Sequence, residues 1–199
     1  MFIVFEGIDG VGKSTLMNQV AIALSNKVNE DVHLTRFPKR NSDRDFDPRK
    51  LLFSKQYIRA AIVNYQQMVT YSLSLVDNTD YVIADRWIYS SWAYQWRMGN
   101  VQLNSPGFES IAKFIAAPDL LVYCHAPLHT CRYRIISRDG LESPDLDFLT
   151  EHNFNELRAG YNVALSTMIG GKCPKKVLSL DTSGKIEDLV SKVLAEIDL

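Results

Sequence analysis

An α/β fold, a five-stranded parallel sheet with helices on both faces, is predicted by three observations. Short apolar, β-branched runs recur five times along the chain, a helical pattern separates each from the next, and the first run leads directly into a glycine loop that opens a helix. With 199 residues, 46% hydrophobic and 23% charged, the sequence has the size and composition of one globular domain, residues 1–199.

The elements follow in order. Phe2 to Phe5 is the first strand, and the run Gly7-Ile8-Asp9-Gly10-Val11-Gly12-Lys13-Ser14 after it is a full match to GxxxxGK[ST]. In such a loop the glycines let successive backbone N–H groups turn inward around a polyphosphate, Lys13 brings a cation, and the Ser14 hydroxyl is placed to ligate Mg²⁺. A glycine-rich turn that binds nothing is the bland alternative, and the strand before it and the helix after it weigh against that. The helix is carried by Leu16, Met17, Val20, Ala21, Leu24 and Val28 at helical spacing. Val32 to Phe37 is the second strand. Asp47-Pro48 reads as an N-cap and a first-turn proline opening a helical region towards Val76. Tyr81 to Ala84 and Leu120 to Tyr123 are the third and fourth strands. A polar stretch with Gly and Pro, residues 137–148, suits a lid in an enzyme that must exclude water, although an ordinary surface loop would read the same. A helix over Leu149 to Ile169 fits Phe154, Leu157, Tyr161, Ala164, Leu165 and Met168. Val177 to Leu180 is the fifth strand, and Ile186, Leu189, Val190, Val193, Leu194 and Ile197 mark the last helix.

Composition narrows the partners. A net charge of −1 requires any positive potential that attracts a polyanion to be local to a cleft, which disfavours nucleic acid. Cys124, Cys131 and Cys173 are spaced like neither a zinc site nor a disulfide framework, and nothing at the N-terminus resembles a signal peptide. A reducing, cytoplasmic setting is expected, with no bilayer-spanning stretch.

Three further constellations fall at the carboxyl edge of the predicted sheet, where ligands of open α/β sheets bind. Asp85-Arg86 after the third strand offers an acid for Mg²⁺ and a guanidinium for phosphate, or a plain surface ion pair. Arg36-Phe37-Pro38-Lys39-Arg40 offers a second phosphate site, or a solvated basic loop. Ser90-Ser91-Trp92-Ala93-Tyr94-Gln95 offers hydroxyls, aromatic faces and an amide suited to a planar base, though both aromatics could be core.

Taken together, FEGIDGVGKST, RFPKR, DRWIYSSWAYQ, PDLLVY and SLDTSGKIEDL resemble the thymidylate kinase family, in that family's order. The resemblance implies a P-loop kinase that transfers the γ-phosphoryl group of ATP to dTMP, with Mg²⁺ as cofactor and a homodimer as the usual assembly. It implies that Gly7, Asp9, Gly10, Val11, Gly12, Lys13, Ser14 and Thr15 hold ATP, with Arg134 packed over adenine and Thr182 and Ser183 in the adenine-side loop. Asp9 would sit between the acceptor's 3′-hydroxyl and the transferring phosphate. Arg40 and Arg86 would bind the acceptor phosphate, Phe37 would line its cleft, Tyr94 would favour deoxyribose, and Ser90 and Ser91 would neighbour the base. Ser14 and Asp85 would serve the metal. Gly10 stands where some members carry an Arg, the pattern of members whose charge-stabilising Arg comes from the lid. Arg138 is then the leading candidate, and Lys13, Asp9, Arg86 and Arg138 form the catalytic set.

The sequence also departs from the family. The base-reading Arg on the helix before the third strand is missing, since no arginine lies between Arg59 and Arg86. Asn64-Tyr65-Gln66-Gln67 falls near its place, and a Gln amide, assigned to Gln66, would donate to O4 while accepting from the pyrimidine N–H. The lid offers Asp145 and Asp147 instead of the usual Arg and Glu, and His125 stands where an Asp commonly ends the fourth strand. A divergent member, of viral or phage type, with relaxed base specificity is expected. The alternatives are a deoxynucleoside kinase, which would need a carboxylate base and not two acceptor-phosphate cations, or a catalytically silent nucleotide-binding partner subunit.

Overall fold

The computed structural model describes residues 1–39, 47–75 and 81–197. Five strands form one parallel sheet, β1 (Phe2–Glu6), β2 (Val32–Arg36), β3 (Tyr81–Asp85), β4 (Leu120–His125) and β5 (Lys176–Asp181), in the order β2-β3-β1-β4-β5. Every residue of β1 is buried, as are the first five of β4. Because alternate side chains point to opposite faces, that pattern requires helices on both sides.

The phosphate-loop strand is central. After β1 the chain runs out to β2, returns through β3, and then crosses to β4 on the other flank, so a crevice opens beside the end of β1. Register aligns the carboxyl ends: Arg36 lies opposite Asp85, and Asp85 opposite Phe5. These apposed ends carry the functional side chains.

Helix α1 (Lys13–Val28) starts inside the loop and buries Leu16, Met17, Val20, Ala21 and Leu24. Asp47 caps α2 (Pro48–Phe53), accepting from the Arg49 and Lys50 amides, with Pro48 in the first turn. The region towards Val76 is not one helix. Lys55 takes φ 59°, which stops α2 and lets α3 (Tyr57–Ser74) start on a new axis; Val76 and Arg40 lie outside the described residues. After β3 come α4 (Ile88–Ser91), a π-helical stretch Trp92–Met98 and α5 (Pro106–Ala112). Helix α6 (Leu128–Asp139) runs into the first residues of the lid, which continues as a 3₁₀ turn, Pro144–Leu149. Helix α7 (Glu151–Ser166) is capped by Thr150 and ends before Met168, which is exposed. The apolar pattern overran the helix there because Ile169 instead pairs with Lys172 in an isolated bridge. Helix α8 (Ile186–Ala195) closes the fold, burying Leu189 and Val193.

Candidate active site

Two glycines explain why the loop turns so tightly. Gly7 and Gly10 have φ of 140° and 82°, and a Cβ on either would collide with backbone, at Cys124 on β4 and at Cys131 on α6 respectively. No side chain fits at position 10. Beyond the loop a cleft of about 1510 Å³ is lined by Asp9, Gly10, Gly12, Lys13, Ser14 and Thr15 together with Asp85, Arg86, Arg134, Arg138 and Thr182. Gly7 and Val11 act from behind it through their carbonyls.

Lys13 is buried, and its ammonium donates to the carbonyls of Gly7 and Ile8 at 2.8 and 3.0 Å. Burial and the charge of Arg86 push its pKa down, against the opposing pull of Asp9 and Asp85. Ser14 Oγ donates to Asp85 Oδ2 at 3.2 Å, while Asp85 Oδ1 is buried without a hydrogen-bond partner. An oxygen-only pair with a spare carboxylate lone pair fits a hard divalent cation such as Mg²⁺. Among the described residues no group of three or more His, Cys, Asp or Glu side chains could hold a metal ion.

Arg134 ties the two ends of the donor side together. Its Nη1 donates to the Val11 carbonyl at 2.8 Å and its Nη2 to the Thr182 carbonyl at 2.9 Å. Thr182 is in turn tied to the sheet edge, its amide donating to the His125 carbonyl at 3.0 Å. Ser183 is exposed and lines neither cavity described here, its amide turning back to Asp181.

A second cavity of about 430 Å³ lies on the β2–β3 side, lined by Phe37, Ser90 and Tyr94 with Asp9 and Arg86. Arg86 has φ 72°, a left-handed conformation that costs energy in any residue with a Cβ. Glu6 holds that turn. Fully buried at the end of β1, it accepts from the Trp87 and Ser90 amides at 2.7 and 3.1 Å and from Ser90 Oγ at 2.6 Å. The Arg86 guanidinium then donates to Ser90 Oγ and Tyr161 OH and pairs with Asp9 at 2.6 Å. Burial alone would raise the Asp9 carboxyl, yet Arg86 and Lys13, with bonds from Arg86 and Tyr94, hold it well below the usual carboxylate range. Tyr94 OH reaches Asp9 at 2.9 Å, and its ring lies beneath the Arg86 guanidinium.

The same geometry redistributes the base-facing candidates. Gln66 is exposed on the outer face of α3, and Ser91 is wholly buried; neither lines either of these two cavities, nor does Tyr65, packed edge-on against Phe108. Asn64 and Gln95 line the smaller cavity instead. Both are buried, and each has an amide oxygen without a hydrogen-bond partner. In the lid, Arg138 pairs with Asp139 and lies 3.3 Å from Asp145. Glu6, Tyr161 and Arg49 were not singled out by the sequence, since the first two sit in apolar-patterned positions and the third follows a helix cap.

A thymidylate kinase family model matches residues 5–193, nearly the whole chain. The chain belongs to the thymidylate kinase family. It is similar to a probable thymidylate kinase of Thermoplasma acidophilum, 29% identical over 94% of this chain and 95% of the relative. It is also similar to one from Caldivirga maquilingensis, 29% identical over 100% and 93%, and to one from Thermococcus kodakarensis, 31% identical over 69% and 72%. In fold it resembles the crystal structure of thymidylate kinase from Ehrlichia chaffeensis, at a TM-score of 0.62, 22% identity and coverage of 98% and 96%. As a member of that family the chain is an ATP-dependent nucleoside monophosphate kinase.

Proposed function

We propose that this kinase transfers the γ-phosphoryl group of ATP to dTMP, giving dTDP and ADP. The observation that carries the reading is the meeting of two cavities at Asp9 and Arg86, the larger floored by the phosphate loop and the smaller by Phe37 and Tyr94. In the transfer, the bond from the γ-phosphorus to the ADP oxygen breaks and one to a phosphate oxygen of dTMP forms. The nucleophile is already anionic, so cations matter and a base does not. Lys13 and Arg138 face the donor phosphates, Arg86 faces the acceptor phosphate, and Arg40 is assigned beside Arg86 from its sequence position. Mg²⁺ bound at Ser14 and Asp85 would neutralise charge on the donor phosphates.

Asp9 argues against a deoxynucleoside kinase. Such an enzyme must deprotonate a sugar hydroxyl, and a carboxylate already paired with a guanidinium at 2.6 Å and accepting from Tyr94 OH is poorly placed to take that proton. Arg134 and Thr182 frame the adenine side, whereas Asn64 and Gln95 take the base-reading role first given to Gln66. A rotatable amide supplies both donor and acceptor, so we assign a relaxed preference among pyrimidines.

The working assembly in this reading is a homodimer built on α3, whose outer face exposes Ile58, Ile62 and Leu73. A cytoplasmic setting accords with Cys124, Cys131 and Cys173 being free thiols, and among the described residues no helix is long and apolar enough to cross a membrane. The test is ADP production from ATP and Mg²⁺ with dTMP or thymidine as acceptor. Turnover with dTMP that collapses in Lys13→Ala is expected; turnover with thymidine alone would overturn the assignment.

A further inference from the structure

Arg49 and Asp145 approach from opposite walls of the cleft, and each lines both cavities at once. Arg49 stands in the first turn of α2, where the Asp47 cap accepts from its amide at 2.9 Å and fixes its backbone. The Phe53 ring backs its guanidinium at 5.5 Å. Asp145 belongs to the 3₁₀ turn of the lid and is only 4% exposed. One of its oxygens accepts from Arg49 Nη2 at 2.6 Å; the other lies 3.3 Å from Arg138 Nη2. A single buried carboxylate therefore spans two guanidinium groups, one from α2 and one from the end of α6.

A guanidinium carries five N–H donors in a rigid fork. Among the described residues, the Arg49 side chain makes one hydrogen bond, the one to Asp145, so the remaining donors are free for a ligand at the junction. We propose that Arg49 is a further catalytic residue, donating to the phosphoryl group as it crosses from the donor to the acceptor cavity, and that Asp145 positions Arg49 and Arg138 for that contact. The proposal rests on the kinase reading above. A phosphoryl group in flight spreads its charge over three equatorial oxygens, and fixed donors aimed at the crossing point stabilise it without reorganisation. Asp145 supplies the fixing. It grips one edge of each fork and leaves the rest available.

The test uses the full chain with ATP, Mg²⁺ and dTMP. Removing one such donor lowers kcat by about 10²–10³-fold, and Arg49→Ala is expected to do so with both KM values within about threefold of wild type. Arg49→Lys, which keeps the charge without the fork, should recover part of the loss. Asp145→Asn keeps the shape and should lower kcat by about tenfold, again with little change in KM. A second measurement needs neither turnover nor an acceptor base: calorimetric binding of adenosine 5′-tetraphosphate, whose terminal phosphates reach the junction. Arg49→Ala should weaken it by about tenfold and weaken ADP by less than about twofold. An unchanged kcat, a raised dTMP KM alone, or equal losses for tetraphosphate and ADP would each overturn the proposal. A wild-type enzyme that ignores dTMP would refute the substrate assignment while the tetraphosphate comparison still decides the arginine.

Discussion

Asp9 and Arg86 face each other at 2.6 Å, with Arg86 almost fully buried and the Asp9 side chain 26% exposed. Removing one partner strands the other, so Asp9→Asn is expected to destabilise the fold by about 2–3 kcal/mol, less than a fully buried pair would lose. The sign of the pH effect follows from the lowered Asp9 pKa. Its contribution is complete above the ordinary value of 3.8 and disappears only as pH falls through the depressed one. Thermal melts of wild type and Asp9→Asn should therefore differ by a constant amount from pH 8 to pH 5 and converge in stronger acid; a gap already closing near neutrality would contradict the pairing. Lys13, Ser14, Asp85 and Arg86 were legible in the sequence because spacing after a strand fixes them. Glu6 and Tyr161 were not, because an apolar run hides a carboxylate or a phenol whose polar end turns inward.

On α3 the helical period decides which side chains are buried, and of those Asn64 lines the smaller cavity. Ala60, Ala61, Asn64, Tyr65 and Met68 face inward, whereas Ile62 and Gln66 face out. The stretch Asn64 to Gln67 does lie on α3, with Asn64 buried and Gln66 exposed, a phase the sequence did not show since the break at Lys55 before α3 carries no glycine or proline signal. In the proposed reading, the neutral amides of Asn64 and Gln95 would discriminate a 4-oxo from a 4-amino pyrimidine through hydrogen bonds worth roughly 1 kcal/mol each. dCMP should therefore be phosphorylated at a rate within about 100-fold of dTMP, and Asn64→Ala should lower kcat/KM for both. Rates measured across a panel of deoxynucleoside monophosphates check this. Strict dTMP use that survives Asn64→Ala and Gln95→Ala would place base reading elsewhere.

At the scale of the molecule, the alternation of strands and helices was legible, most clearly at β1, β3 and β4, because buried parallel strands read as continuous apolar runs. The pairing of lid with α2 was not, since Arg49 and Asp145 are 96 residues apart and neither belongs to a motif. Ile58, Ile62 and Leu73 lie along one face of α3, 53–62% exposed, and a second copy would cover them. Ile62→Arg should convert a dimer into a folded monomer in analytical ultracentrifugation; a wild-type monomer would refute the assembly. The strand order has one more consequence. Phe37 and Arg86 follow β2 and β3, Arg134 and Thr182 follow β4 and β5, and Asp9 in the loop after β1 lines both cavities together with Arg86, Arg49 and Asp145. Inheritance can act on what the two cavities do not share: substitution at Phe37, Asn64 or Gln95, which line the smaller cavity and not the larger, leaves the phosphate loop, Arg134 and Thr182 in place, so acceptor range is the trait this architecture leaves open to divergence.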